Sequence, residues 1–188
     1  IANANIVVFR RSEKLNSRVG SEVIYISDIF YPISSTNILT DLTWKHIPDV
    51  AKKYIAKNNL YLKTIVFNNL KGKRYQHSAA VASHAKRLAF YNKFKRKEEA
   101  YYAGMLHDLF KLHSNDFLRS YYLEHASKNE EIPSEALHGF VCALWLEKEY
   151  GIKNKDFLNA IKNHTLGNSK STLFDKIVFV ADKISTDR

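Results

Sequence analysis

A mainly α-helical bundle preceded by a short α/β segment is the fold class this sequence predicts. Two patterns and the composition predict it. From about residue 63 onward, Leu, Ala, Phe and Tyr recur at three- and four-residue spacings, the period of a helix with one buried face. Residues 1–35 instead carry β-branched and aromatic residues in short runs, NIVVFRR and SEVIYISDIFYPI, with polar turn-like breaks between them. A chain of 188 residues that is 45% apolar and 26% charged has both the length and the composition to bury a core.

The elements follow in order. After the two extended runs comes ISSTN, a Ser/Thr cluster suited to capping a helix or contacting an anion. A helix from about Pro48 reads PDVAKKYIAKNNLYL, with Val50, Tyr54 and Ile55 on one face. The remaining helices read TIVFNNLKGKRYQHSAAVASHAKRLAFYNK (one helix or two), EEAYYAGMLHDLFKLH, NDFLRSYYLEHAS, PSEALHGFVCALWLEKEYG, NKDFLNAIKNHTLG and STLFDKIVFVADKIS. Pro133 suits a first helical turn and Gly151 a C-terminal cap. The change of pattern near residues 63–70 divides the chain into units 1–65 and 66–188.

Composition narrows the function classes. The longest apolar runs, such as FVCALWL, are far too short to span a bilayer. IANANIVVFRR places its charge after the apolar part, the reverse of a signal peptide. The single Cys, Cys142, excludes an intrachain disulfide and suits a reducing cytoplasm. With 29 basic against 19 acidic residues the net charge is +10. That balance favours polyanionic partners, although a solvated Lys-rich surface accounts for most of it. A nucleotide is the expected partner; nucleic acid and membrane are not, and a homodimer is compatible with the sequence. The chain opens on Ile and stops after ADKISTDR without a convincing domain end, so further sequence is expected on both sides. Abundant Lys, Asn, Ile, Tyr and Phe suit an AT-rich bacterial genome.

Of eight His residues, four form an ordered series with two Asp: His77, His107-Asp108, His138, His164 and Asp182. Each falls on a different predicted helix beside an apolar stripe, in the contexts RYQH, LHD, ALHG, NHTLG and VADK. Helical bundles build metal sites by pointing one or two ligands inward from each of several helices. A single buried His is more often a hydrogen-bonded core residue, and an HD dipeptide alone is common; six in order make the metal reading. Imidazole and carboxylate without thiolate suit iron, manganese, zinc or magnesium. Six ligands exceed one tetrahedral ion with an open position, and suffice for two ions with Asp108 bridging. On an α-helix His107 and Asp108 diverge by about 100°, so one can serve a single ion while the other reaches between two. His46, His84, His113 and His125 lack such contexts and read as surface or packing residues, although His84 lies two turns after His77 on the same face.

This order resembles the HD superfamily of metal-dependent phosphohydrolases, and within it the YqeK family of symmetrical diadenosine tetraphosphate hydrolases. RYQHSAAVASHAKRLA, AGMLHDLFK, ALHGFVCALWLEKEYGI, AIKNHTLG and KIVFVADKISTDR resemble that family's five motifs in order, across about residues 70–188. Where the family has Glu-Pro after ADKI, this chain has Ser185-Thr186, and the family's C-terminal helices are expected to lie beyond residue 188. VVFRR…PISSTNI…IPDVAKKYIAKNNLY resembles the C-terminal end of bacterial nicotinate-nucleotide adenylyltransferases, with Leu39 where their motif has Arg. Residues 1–65 are therefore expected to be the remnant of such a domain in a natural fusion, acting here as a structural appendage.

The resemblance implies hydrolysis of diadenosine tetraphosphate to two ADP by a metal-activated water, with a dinuclear iron centre as the expected cofactor and manganese, zinc or magnesium as alternatives. Asp108 and Lys111 are the expected catalytic pair. Lys111 lies four residues after His107 and three after Asp108, spacings at which helix neighbours meet, so its cation can hold a metal-bound phosphate or simply neutralise Asp108. Arg74 and Lys183, beside His77 and Asp182, and Thr165, beside His164, are the expected further phosphate contacts. The alternatives are an HD phosphohydrolase acting on a nucleoside phosphate, cyclic nucleotide or guanosine tetraphosphate, and a non-enzymatic polyanion-binding module.

Overall fold

The computed structural model describes residues 6–8, 23–25, 34–41, 44, 46–128 and 130–185. Two three-residue strands, β1 (Ile6–Val8) and β2 (Val23–Tyr25), pair in parallel with Ile6 opposite Val23. The rest of the extended reading over residues 1–33 lies outside the described residues. The helices are α1 (Ser35–Asp41), α2 (Asp49–Lys57), α3 (Leu62–Asn69), α4 (Lys73–Tyr91), α5 (Lys97–Leu106), α6 (Asn115–His125), α7 (Ser134–Trp145), α8 (Lys155–Lys162) and α9 (Leu173–Ile184). None of them is long and apolar enough to cross a membrane.

Local chemistry sets several of these boundaries. Ser34 of ISSTN takes the capping role: its Oγ accepts from the Asn37 N–H at 3.1 Å. Ser114 and Asn154 cap α6 and α8 in the same way. Thr172 and Asp175 form a reciprocal capping box at the start of α9. The run TIVFNNLKGKRYQH is split at Gly72, whose φ of +56° precedes α4. α7 passes into a single π-turn, Leu146–Tyr150, which Gly151 ends at φ +99°.

α4 is the spine, packed along α5 on one side and α9 on the other, while α7 and α8 close the bundle. Gly104 makes the α4–α5 approach possible: a Cβ there would stand 2.9 Å from the Ala82 Cα. Trp44 and Leu62, which precede the expected boundary at residue 65, share the core with Trp145 and Tyr150. The Trp44 ring meets those of Trp145 and Tyr150 edge-on at 6.0 and 5.1 Å, and the Tyr150 hydroxyl donates to the Leu60 carbonyl at 2.7 Å. The face of α2 expected to pack does not: Val50 is 81% and Tyr54 65% exposed, and only Ile55 turns inward.

Candidate metal centre

His107 and Asp108 are not inside a helix. α5 ends at Leu106, and residues 107–112 form a turn whose Leu109 and Lys111 N–H groups bond three residues back, to the Leu106 and Asp108 carbonyls. His164 likewise lies just past the end of α8, in the turn 163–166. A helix C-terminus leaves its last carbonyls without intrahelical partners. Each turn His uses one: His107 Nδ1–H donates to Gly104 O at 2.7 Å, and His164 Nδ1–H donates to Ile161 O at 2.7 Å. Since a carbonyl only accepts, these bonds fix the tautomer and leave Nε2 with a lone pair aimed inward. The pattern is the same in both: ring at position i, carbonyl at i−3.

The other members come from helix interiors. His77 is one turn into α4, His138 sits in the second turn of α7, and Asp182 lies near the end of α9. All six side chains are buried and converge. Asp182 Oδ1 lies 3.2 Å from His77 Nε2 and 3.6 Å from His107 Nε2. Asp108 Oδ1 lies 3.1 Å from His138 Nε2 and 3.7 Å from His164 Nε2, and its Oδ2 is 3.7 Å from His107 Nε2. His138 Nε2 and His164 Nε2 stand 3.1 Å apart. Two overlapping triads, His77–His107–Asp182 and His107–Asp108–His164, each hold their donor atoms within 4.8 Å of one another.

This donor set fits a cation. His107 Nε2 is buried with no hydrogen-bond partner, yet faces two carboxylates, and His77 Nδ1 is buried and unpartnered as well. A bare lone pair turned toward carboxylate oxygens is repulsive, so Nε2 must carry either a proton or a metal ion between it and them. Ligands bound at about 2.1 Å to one ion sit roughly 3.0–3.4 Å from each other, close to the separations found here.

The electrostatics follow from burial and from these neighbours. Burial alone would raise the Asp108 carboxyl, but the close His138 Nε2 and the neighbouring His164 and His107 rings hold it well below the usual carboxylate range. Burial, helped by His107 and His138, pushes His164 down to about 4. His77 and His138 are also lowered, chiefly by burial. His107 goes the other way: burial lowers it, but the carboxylates of Asp182 and Asp108 outweigh that and raise it. Three of the four imidazoles are thus kept neutral, the form that ligates.

Cations line the approach. The cavity, of about 480 Å³, is bounded by Lys73, Arg74, Lys111 and Lys183 together with Thr165, Glu135 and members of the cluster. Arg74 Nη1 donates to Asp108 Oδ2 at 3.1 Å, and Lys183 Nζ to Asp182 Oδ2 at 3.1 Å. Lys111 does not sit on Asp108 as helical spacing would place it; its Nζ lies 3.5 Å from His138 Nδ1. Thr165 Oγ1 lies 3.1 Å from His164 Nε2. Lys73 and Glu135 escaped the sequence reading, although Lys73 directly precedes RYQH and Glu135 stands one turn before His138. His46, His84, His113 and His125 stay outside the cavity lining: His113 stacks on Phe117 at 4.7 Å and His125 on Tyr121 at 4.1 Å. Gly139 completes the packing, since a Cβ there would press on the His164 ring at 3.0 Å and on Ile161 O at 3.1 Å.

A helical bundle whose buried imidazoles and carboxylates face a cation-lined cavity is the architecture of a metal-dependent helical hydrolase site. Residues 74–187 match the HD domain family, and the chain belongs to it. The chain is 33% identical over 181 residues to a protein of Mycoplasma genitalium named probable nicotinate-nucleotide adenylyltransferase/Ap4A hydrolase, covering 95% of this chain and 51% of that protein. It is 38% identical over 129 residues to the symmetrical bis(5'-nucleosyl)-tetraphosphatase of Staphylococcus aureus, covering 67% and 66% of the two. A crystal structure described as a predicted HD superfamily hydrolase involved in NAD metabolism, from Clostridium acetobutylicum, superposes with a TM-score of 0.59 at 33% identity over 68% of each chain. The chain spans about half the length of the Mycoplasma relatives it matches.

Proposed function

We propose that this protein hydrolyses diadenosine tetraphosphate to two ADP at a dinuclear metal centre, with iron as the metal and manganese, zinc or magnesium as substitutes. The supporting observation is the orphaned His107 Nε2 between Asp108 and Asp182, at the meeting of the two triads. His77, His107 and Asp182 would hold one ion, and His138 and His164 the other, with Asp108 shared. A pair of divalent ions, when bound, supplies charge neutralisation and acidification of water near neutral pH.

The remaining work falls to this chain's own side chains. The carbonyls of Gly104 and Ile161 keep two imidazoles in the ligating tautomer. With its Nε2 serving an ion, His138 would carry its proton on Nδ1, and Lys111, without that acceptor, would be free to hold phosphate. Lys111, Arg74, Lys183 and the Thr165 hydroxyl contact the polyphosphate in this reading. In-line attack at a β-phosphorus breaks its bond to the central bridging oxygen and leaves ADP on each side; the preference for β over α rests on the tetraphosphatase relatives.

We also read residues 1–65 as the remnant of a nicotinate-nucleotide adenylyltransferase-like domain and residues 66–188 as the HD domain. The burial of Trp44 against Trp145 suits a structural role for the first part. The test is a product panel. Metal-loaded protein is incubated with diadenosine tetraphosphate, guanosine tetraphosphate, cyclic nucleotides and nucleoside phosphates, and the nucleotides are separated by ion exchange. ADP as sole product from the dinucleotide supports the assignment. AMP with ATP would refute the symmetrical cleavage, and turnover of another substrate alone would refute the dinucleotide.

A further inference from the structure

At the end of α4 remote from the metal cluster, Phe90 and Tyr91 stand in solvent, 61% and 72% exposed, with their rings edge-on at 5.4 Å. Single exposed aromatics are ordinary, whereas contiguous ones mark a contact surface. These two wall a groove of about 460 Å³ between α4 and α5, shared with Tyr101, Lys86, Arg87 and Lys97. Cations lie over the rings: Lys97 Nζ is 5.1 Å from the Phe90 centroid, and Lys63 and Lys86 are 5.0 and 6.0 Å from that of Tyr101. The exposed Lys93 and Lys95 continue the charge along the loop joining the helices. The groove wall itself carries three cations (Lys86, Arg87 and Lys97) and one carboxylate, Glu98, already paired with Lys86, and Lys63, Lys93 and Lys95 flank it.

We infer that this groove binds single-stranded nucleic acid, with bases on Phe90, Tyr91 and Tyr101 and phosphates on the surrounding lysines and Arg87. A solvated charged surface explains the lysines and leaves the exposed ring pair without a reason. A protein partner's apolar segment would cover the rings and strand the cations. A single strand presents π-faces and phosphates alternately, and aromatic rings set within a basic groove are how sequence-tolerant single-strand binders are built. The whole-chain charge read from sequence gives only a diffuse surface; the fold gathers part of it around these rings. Thirteen residues of α4 separate Phe90 from His77, about 20 Å at helical rise, so this surface is distinct from the metal pocket.

The test is fluorescence anisotropy of a labelled 20-nucleotide oligouridylate with the full chain, across a salt series, beside the same label on a duplex. Binding to the single strand is expected, with log Kd shifting by about 0.7 per phosphate contact for each decade of salt. The Phe90→Ala/Tyr91→Ala variant is expected to weaken binding about tenfold or more at unchanged salt slope. Arg87→Ala/Lys97→Ala is expected to lower the slope instead. All four side chains are exposed, and nucleotide hydrolysis and melting temperature should stay at wild-type values. Equal affinity of wild type and the Phe90→Ala/Tyr91→Ala variant would overturn the inference, as would tighter binding to the duplex. Competition by nucleotide substrate at its own Kd would place the oligonucleotide in the metal pocket. Failure to bind the oligonucleotide, with self-association through Phe90 and Tyr91 seen by sedimentation, would assign the groove to protein contact and equally overturn it.

Discussion

The four clustered imidazoles are of two kinds. His107 and His164 stand in turns just past helix ends, each ring held by a carbonyl three residues back. His77 and His138 stand within α4 and α7 and depend on other side chains for their orientation: Asp182 for one, Asp108 and Lys111 for the other. The difference teaches how a bundle makes a ligand of fixed tautomer. A helix C-terminus supplies a carbonyl that needs a donor, and a His one turn on satisfies it with Nδ1–H while aiming Nε2 at the site. Helix-interior histidines have no such carbonyl, so their tautomers answer to whatever binds.

Asp108 faces both kinds, and breaking it should have the largest effect. Asp108→Asn is expected to lose metal, seen by elemental analysis, together with turnover, by a factor on the order of 10²–10³ or more, as when a central electrostatic contact is removed from an active site. Full metal content and normal turnover in this variant would show that Asp108 is not shared.

Acid should split the turn pair. In the metal-free protein the His164 pKa is about 4 folded against about 6.5 unfolded, a depressed value. The unfolded state therefore binds the proton first. Stability is fully present above about pH 6.5 and falls as pH drops toward 4, by up to about 3 kcal/mol from this group. His77 and His138 act in the same direction. His107, raised in the fold, acts oppositely and loses its contribution as pH rises. Urea midpoints of chelated protein at pH 7.5 and 5 should fall on acidification, and His164→Asn should flatten the fall. An unchanged slope in that variant would contradict the assignment.

Two glycines sharpen the comparison further. Gly139→Ala pushes on the His164 ring and on the Ile161 carbonyl that holds it, and should weaken metal binding by about 10–100-fold, as does loss of a supporting contact, beyond any loss of melting temperature. Gly104→Ala pushes instead on the α4 backbone and should destabilise by about 1–3 kcal/mol. Calorimetry with and without metal separates the two. The smallest effect should come from Lys111→Ala, whose ammonium lies 3.5 Å from His138 Nδ1: metal is retained while KM rises by about tenfold, a usual scale for one charged contact. Loss of metal would make Lys111 a structural partner of His138.

Much of this was legible in the sequence. Period-3.6 spacing places the helices from about residue 63 on, and the ordered His/Asp series names six side chains that the fold brings together. The turns at His107 and His164 were hidden for a definite reason. EEAYYAGMLHDLFKLH keeps its apolar spacing through Leu109 and Phe110 with no Pro or Gly after Gly104, because those side chains are buried from a turn as well as from a helix. A ring capturing the Gly104 carbonyl leaves no mark on periodicity. Lys73 and Glu135 were missed because an exposed charge in a first helical turn is ordinary, and only the fold brings those two onto one cavity. The buried Trp44 contact was hidden likewise, since its partners Trp145 and Tyr150 are about a hundred residues away.

The central claim is that two ions share Asp108 between the His77–His107–Asp182 side and the His138–His164 side. Anomalous diffraction from metal-loaded crystals tests it most directly. Two peaks about 3.5–4 Å apart, with the Asp108 carboxylate reaching both and His107 Nε2 on the Asp182 side, are the predicted result. A single peak, or two peaks of which Asp108 touches only one, would contradict it.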